Sequence, residues 1–92
     1  MNTSAKNECP LEFRKRDLAV AVEHKTGTPL FYPNGRLMGD RLRRILFSEK
    51  AMIEELGWTE DLYKDKFKFL GNEARILCRH LQLARSNFVG KD

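Results

Sequence analysis

Apolar residues recur at helical spacing through most of the second half of the chain. Leu42, Ile45 and Leu46 make one inward face, while Arg41, Arg43 and Arg44 point largely away from it and Asp40 stands ahead as a cap. The face continues in Met52, Ile53 and Leu56, with Glu54 and Glu55 left wet. Ser48, between the two runs, is a good N-cap, so one reading breaks the segment there into two helices. Serine is also tolerated inside a helix, so one uninterrupted helix over 40–56 is the competing reading. Gly57 ends the run, because glycine just past a helix takes the left-handed conformation without a clash, and Thr59 is placed to cap a following helix. That helix carries Leu62, Tyr63, Phe67 and Leu70 at helical spacing, with Phe69 additional, and ends at Gly71. Asn72 caps a last helix with Glu73 in its first turn, where a negative charge complements the helix dipole. Its apolar face is Ile76, Leu77, His80, Leu81, Ala84 and Phe88, and Arg75, Arg79 and Gln82 form a separate stripe.

The first third is less decided. Residues 1–9 read as a polar, flexible tail and 10–92 as a single compact domain. Pro10 at the start and Gly27 beyond the end favour a helix over Pro10 to Lys25, whereas Leu18, Val20 and Val22 alternating with two alanines favour a strand. The strand gains from Leu30, Phe31 and Tyr32, which could return on it around a turn at 25–28, so a short β-hairpin over 18–32 is the preferred expectation. Pro33, Asn34 and Gly35 form the next turn. The fold class that follows is mainly α: a small domain of three to four helices with a helix-turn-helix-like core, preceded by that hairpin.

At 92 residues the chain supports one modest core, which a partner or a second copy would reinforce. No run approaches the roughly 18 to 20 apolar residues that a membrane span requires, so no membrane partner is expected. The opening MNTSAKNEC has no apolar core of the length that a secretory signal needs, which makes a cytoplasmic location the default. Cys9 and Cys78 are too few for a disulfide framework and read as free thiols, Cys78 as a small buried apolar residue.

Candidate chemistry is sparse. Cys78 and His80 are two apart on a helix, about 200° from each other, so they cannot share a metal. There is no glycine-rich phosphate loop, nucleophile motif or metalloprotease motif, and Glu54, Glu55, Glu60 and Asp61 read as solvated helix surface. The expectation is a protein that is not an enzyme, with no cofactor, no metal and no small-molecule substrate.

Seventeen Lys and Arg against thirteen Asp and Glu give a net charge of +4, and the cations fall into clusters. Arg14, Lys15 and Arg16 form one, Arg36, Arg41, Arg43 and Arg44 a second, Lys64, Lys66 and Lys68 a third, and Arg75, Arg79 and Arg85 lie near the end. Arginine-rich groups suit bidentate binding of phosphate oxygens, although charges also simply cover the wet faces of helices.

The run FSEKAMIEELGWTEDLY, Phe47 to Tyr63, resembles the generic helix-turn-helix superfamily. The resemblance rests on Ile53, Leu56, Gly57, Trp58, Thr59 and Tyr63, in the spacing where a small or apolar residue, an apolar residue, the turn glycine, an apolar residue, a hydroxyl cap and an apolar residue recur. Ile53 stands where the superfamily usually has alanine, which sets the helices slightly further apart. The resemblance implies a small DNA-associated transcription regulator or corepressor of the kind phages encode. Thr59, Lys64 and Lys68 would lie nearest the duplex and Arg41, Arg43 and Arg44 on phosphates, with Arg75 and Arg79 extending the candidate DNA-binding set. Glu60 and Asp61 at the start of the second helix must then read cytosine amino groups or lie off the groove, since phosphates repel them.

A second class of function is a protein-binding modulator or inhibitor that docks on a repressor, polymerase or nuclease. It would use Trp58 and Phe69 as partner-binding anchors, tryptophan being frequent at binding hot spots. Trp58 reads also as a ring packed between the two helices. Phe67 and Phe69, two apart, cannot both face one helix core, so one of them lacks a core duty.

Overall fold

Phe69, Leu18, Leu42, Leu46 and Leu77 meet with no solvent exposure at the centre of the molecule, though the sequence pattern assigns them to different kinds of element. The computed structural model describes residues 8–89. Their elements are β1 (Glu12–Arg14), α1 (Lys15–Thr26), α2 (Gly39–Phe47), α3 (Lys50–Leu56), α4 (Glu60–Asp65), β2 (Lys68–Leu70), α5 (Asn72–Leu81) and α6 (Arg85–Phe88). The domain is mainly α, as the periodicity implies. Six helices replace the expected three to four because turns cut the apolar runs into shorter pieces. None of the helices among the described residues is long and apolar enough to cross a membrane. Of the polar tail expected over 1–9, residues 1–7 lie outside the described residues.

The hairpin over 18–32 is not formed; residues 15–26 are helix α1. Leu18, Ala19, Ala21 and Val22 are its buried face, at i, i+1, i+3 and i+4, so the two alanines are core positions and not spacers in a strand. Local chemistry favours this outcome at both ends. The Asp17 carboxylate accepts the Arg14 N–H at 3.1 Å, and Gly27, at φ 77°, returns its N–H to the Glu23 carbonyl at 2.8 Å. Leu30 to Tyr32 pairs instead with its own neighbourhood. Phe31 forms a single antiparallel bridge with Leu37 around the 33–35 turn, closed by Tyr32 N–H to the Arg36 carbonyl at 2.8 Å.

The two strands lie far apart in sequence. β1 and β2 pair antiparallel with Phe13 opposite Phe69, both rings turned inward with centroids 5.5 Å apart. Hydrogen bonds from Lys15 N–H to the Phe67 carbonyl and from Gly71 N–H to the Leu11 carbonyl, each 2.9 Å, extend the ladder at both ends. This pairing ends α4 at Asp65, where the sequence pattern would carry the helix to Leu70, because Phe69 reaches the core by the alternation of a strand.

The chain does break at Ser48. The serine closes α2, its Oγ donating to the Ile45 carbonyl at 2.7 Å, while α3 begins at Lys50. Asp40 lies in the first turn of α2, and Asn72 is the first residue of α5 after Gly71. The last helix also divides. Gln82 adopts φ 56°, ending α5, so that buried Leu83 and the Phe88 ring, 4.8 Å from Phe13, can close over the core. α6 packs on α1.

The cysteines are not free. Cys9 and Cys78 form a disulfide with Cα atoms 6.0 Å apart, because the β1–β2 register carries the segment before Leu11 onto α5.

Candidate functional site

The turn between α3 and α4 follows its local signals. Gly57 sits at φ 71° and donates its N–H to the Ile53 carbonyl, and the Thr59 Oγ1 accepts the Leu62 N–H at 3.1 Å. Thr59 is therefore occupied as a cap. Trp58 is not an exposed anchor: it is buried, stacked on Phe69 at 5.5 Å, with its indole N–H donating to Glu73 Oε2 at 3.2 Å. Phe69 is wholly buried as well, so neither ring of that expected pair meets solvent. Phe67 is the phenylalanine without a core duty, at 81% exposure.

The outer side of α4 carries Glu60, Asp61 and Asp65 against the single cation Lys64, all exposed. Tyr63 turns inward beneath it. Its hydroxyl has no hydrogen-bond partner, and burial pushes its pKa up to about 12. The Lys15 ammonium donates to the Tyr63 carbonyl at 2.7 Å and lies 4.0 Å from the ring centroid, and its pKa is lowered by desolvation, with Asp65 acting in the opposite direction.

The remaining cations divide by whether an acid neutralises them. Arg43 pairs with Glu60 at 3.1 Å, Arg79 with Glu55 at 2.6 Å, Lys66 with Glu73 at 2.9 Å, Lys68 with Glu12 at 2.7 Å and Arg14 with Asp17 at 3.3 Å. His80 adds a 2.8 Å contact to Glu55, and the hydrogen bonds from Arg79 and His80 hold the Glu55 carboxyl below the usual carboxylate range. Arg75 is exposed on α5, beyond this group. Among the described residues Arg75 and Arg85 have no carboxylate partner, and neither do four earlier arginines, Arg16, Arg36, Arg41 and Arg44. Arg16 donates to the Gly35 carbonyl at 3.1 Å and stacks over Phe31, and Arg41 donates to the Pro29 carbonyl at 3.0 Å.

These four arginines border two adjoining depressions. One, of about 420 Å³, lies between the end of β1, the start of α1 and the 66–68 segment, with Arg14, Lys15, Arg16, Lys66 and Lys68 around Phe67. The other, of about 430 Å³, lies at the start of α2, with Arg36, Arg41 and Arg44 beside Tyr32 and one carboxylate, Asp40, among them. Leu37 lines both, so the two form one continuous surface. No family model, curated protein or solved structure matches this chain.

Of the residues expected to meet DNA, Arg41, Arg44 and Lys68 belong to this surface, Lys64 lies on the acidic side of α4, and Arg43 and Arg79 are held in ion pairs. Phe67 and Tyr32 complete the surface and were not among them. No spacing signal singles out Phe67: strand alternation would place it on the face of buried Phe69, and it lies one residue before β2. Among the described residues no three His, Cys, Asp or Glu side chains gather in a way that could hold a metal. What the surface offers chemically is guanidinium donors in fork geometry, alkyl walls and two aromatic faces, a combination that recognises anions attached to flat rings.

Proposed function

We propose that the protein is a small, non-enzymatic, DNA-associated regulator that grips the phosphate backbone through Arg16, Arg36, Arg41 and Arg44. The observation that carries this reading is that four of the six arginines without a carboxylate partner among the described residues, Arg16, Arg36, Arg41 and Arg44, border one surface, with Arg75 and Arg85 elsewhere, while Arg43, Lys68 and Arg79 are matched to carboxylates. Arginine forks bind phosphate oxygens bidentately, and releasing the counterions condensed on DNA drives such binding. The acidic outer side of α4 then lies off the nucleic acid, so the helix-turn-helix-like segment supports the domain and the arginines make the contact.

The test is a titration of fluorescently labelled DNA at two salt concentrations. With about four phosphate contacts, affinity falls about 100-fold between roughly 50 and 200 mM salt. Absence of binding at the lower salt overturns the proposal.

A further inference from the structure

We infer that the nucleic acid held on this surface is single-stranded, its bases stacking on Phe67 and Tyr32 while its phosphates lie on the flanking arginines and lysines. This rests on the proposed nucleic-acid association and deepens it.

Phe67 is the most exposed of the large apolar side chains in the described residues, at 81%, and Tyr32 is 49% exposed. Phe67 leaves most of its ring in water beside Leu37 and the basic side chains of its depression, where a flat partner can cover it. Each ring lies within or beside one of the two basic depressions, and Leu37 joins them. Phosphate charge and base faces are thus matched by neighbouring groups on one surface.

A duplex does not use this combination. Its bases are stacked on each other and show only edges in the grooves, so an exposed ring gains nothing from it short of wedging between steps. A single strand exposes base faces, and stacking a base on an aromatic side chain is sequence-tolerant. The element that would enter a major groove is also unsuited: α4 has six residues and presents Glu60, Asp61 and Asp65 outward.

The ion pairs at the rim do not oppose this. Lys68 with Glu12 and Arg14 with Asp17 are solvent-exposed pairs, which contribute little to the fold and can be exchanged for phosphate contacts, while Lys66, less exposed, stays with Glu73. Phosphates and base faces are common to DNA and RNA, so the shared requirement is an unpaired strand of either sugar.

The experiment measures anisotropy of labelled oligomers of about 15 thymidines or 15 uridines, and of a duplex of the same length, with the full chain and with Phe67→Ala, Tyr32→Ala and Phe67→Trp. Both single strands, or one of them, bind more tightly than the duplex. Phe67→Ala weakens that binding about 10-fold with an unchanged thermal midpoint, Tyr32→Ala weakens it less, and Phe67→Trp retains it with its indole fluorescence quenched. The tighter of the two oligomers assigns the sugar. Duplex binding at least as tight as single-strand binding, or single-strand binding indifferent to Phe67→Ala, overturns this inference and leaves the DNA-associated reading standing. Failure of all three oligomers at low salt overturns both.

Discussion

The outer side of α4 and the surface around Phe67 are a few residues apart in the chain and opposite in character. On α4, Glu60, Asp61 and Asp65 face water with one lysine among them, and Arg43 is drawn onto Glu60. Around Phe67 and Tyr32, cations crowd two linked depressions and four arginines have no acid partner. The lesson is that a turn chemistry shared with DNA-reading folds fixes how two helices meet and says nothing about which face carries the charge. Glycine at a C-cap and threonine at an N-cap satisfy backbone geometry; function depends on the outward residues between and beyond them.

The largest effect that sharpens this contrast is Trp58→Ala. If the tryptophan is core, its removal from Phe69 and Glu73 destabilises the domain by about 3–5 kcal/mol, measured by chemical denaturation. An exposed anchor would leave stability unchanged.

Next comes the Cys9–Cys78 bond, which closes a long loop and ties the segment before β1, and with it Arg14, to α5. Reduction, or Cys9→Ser, should lower stability by as much as about 4 kcal/mol on the chain-entropy account. Hydrogen exchange should rise over 12–16 and 68–70 and stay unchanged at the α3–α4 turn. A uniform rise across the domain would contradict the division between the two regions.

Charge reversal tests the contrast directly. Changing Arg36, Arg41 and Arg44 together to Glu should reduce DNA affinity at least about 100-fold and flatten its salt dependence by about three phosphate contacts. Changing Glu60 and Asp61 to Lys should leave affinity within a few-fold.

The smallest effect concerns Tyr63. Its folded-state pKa of about 12 lies above the ordinary value of 10, so between those values the folded state binds more protons than the unfolded one. Stability therefore falls as pH rises through this window. Tyr63→Phe should abolish that fall and, by removing an unpartnered buried hydroxyl, stabilise the protein by about 1 kcal/mol at neutral pH.

What the sequence made legible follows the range of the forces involved. The αL glycine at 57 and the Thr59 cap are set by residues within one turn of each other, and both are found where the local pattern puts them. The alternation of Leu18, Val20 and Val22 suggests a strand where α1 forms, because Ala19 and Ala21 look like neutral spacers but are core residues that let neighbours approach closely. Strand β2 was hidden in an apparent helix because its partner, β1, lies at the other end of the chain, and no local propensity of Lys68-Phe69-Leu70 reveals that pairing. The disulfide is not legible locally for the same reason: Cys9 is near Cys78 only once the β1–β2 register is made.

At the candidate site, the clusters of arginine were visible and their neutralisation was not. Arg43 and Arg44 are neighbours in sequence, yet one faces Glu60 across the turn and the other lines the open depression beside Tyr32. Which of Phe67 and Phe69 meets solvent likewise depended on where the helix stopped.

The most direct test of where the molecule makes contact is to follow backbone amide chemical shifts in a labelled sample while an oligonucleotide is added. The largest changes are expected over 14–16, 32–37 and 66–68, with 60–65 nearly still. Changes concentrated on the outer side of α4, with the Phe67 and Tyr32 surface silent, would contradict the account.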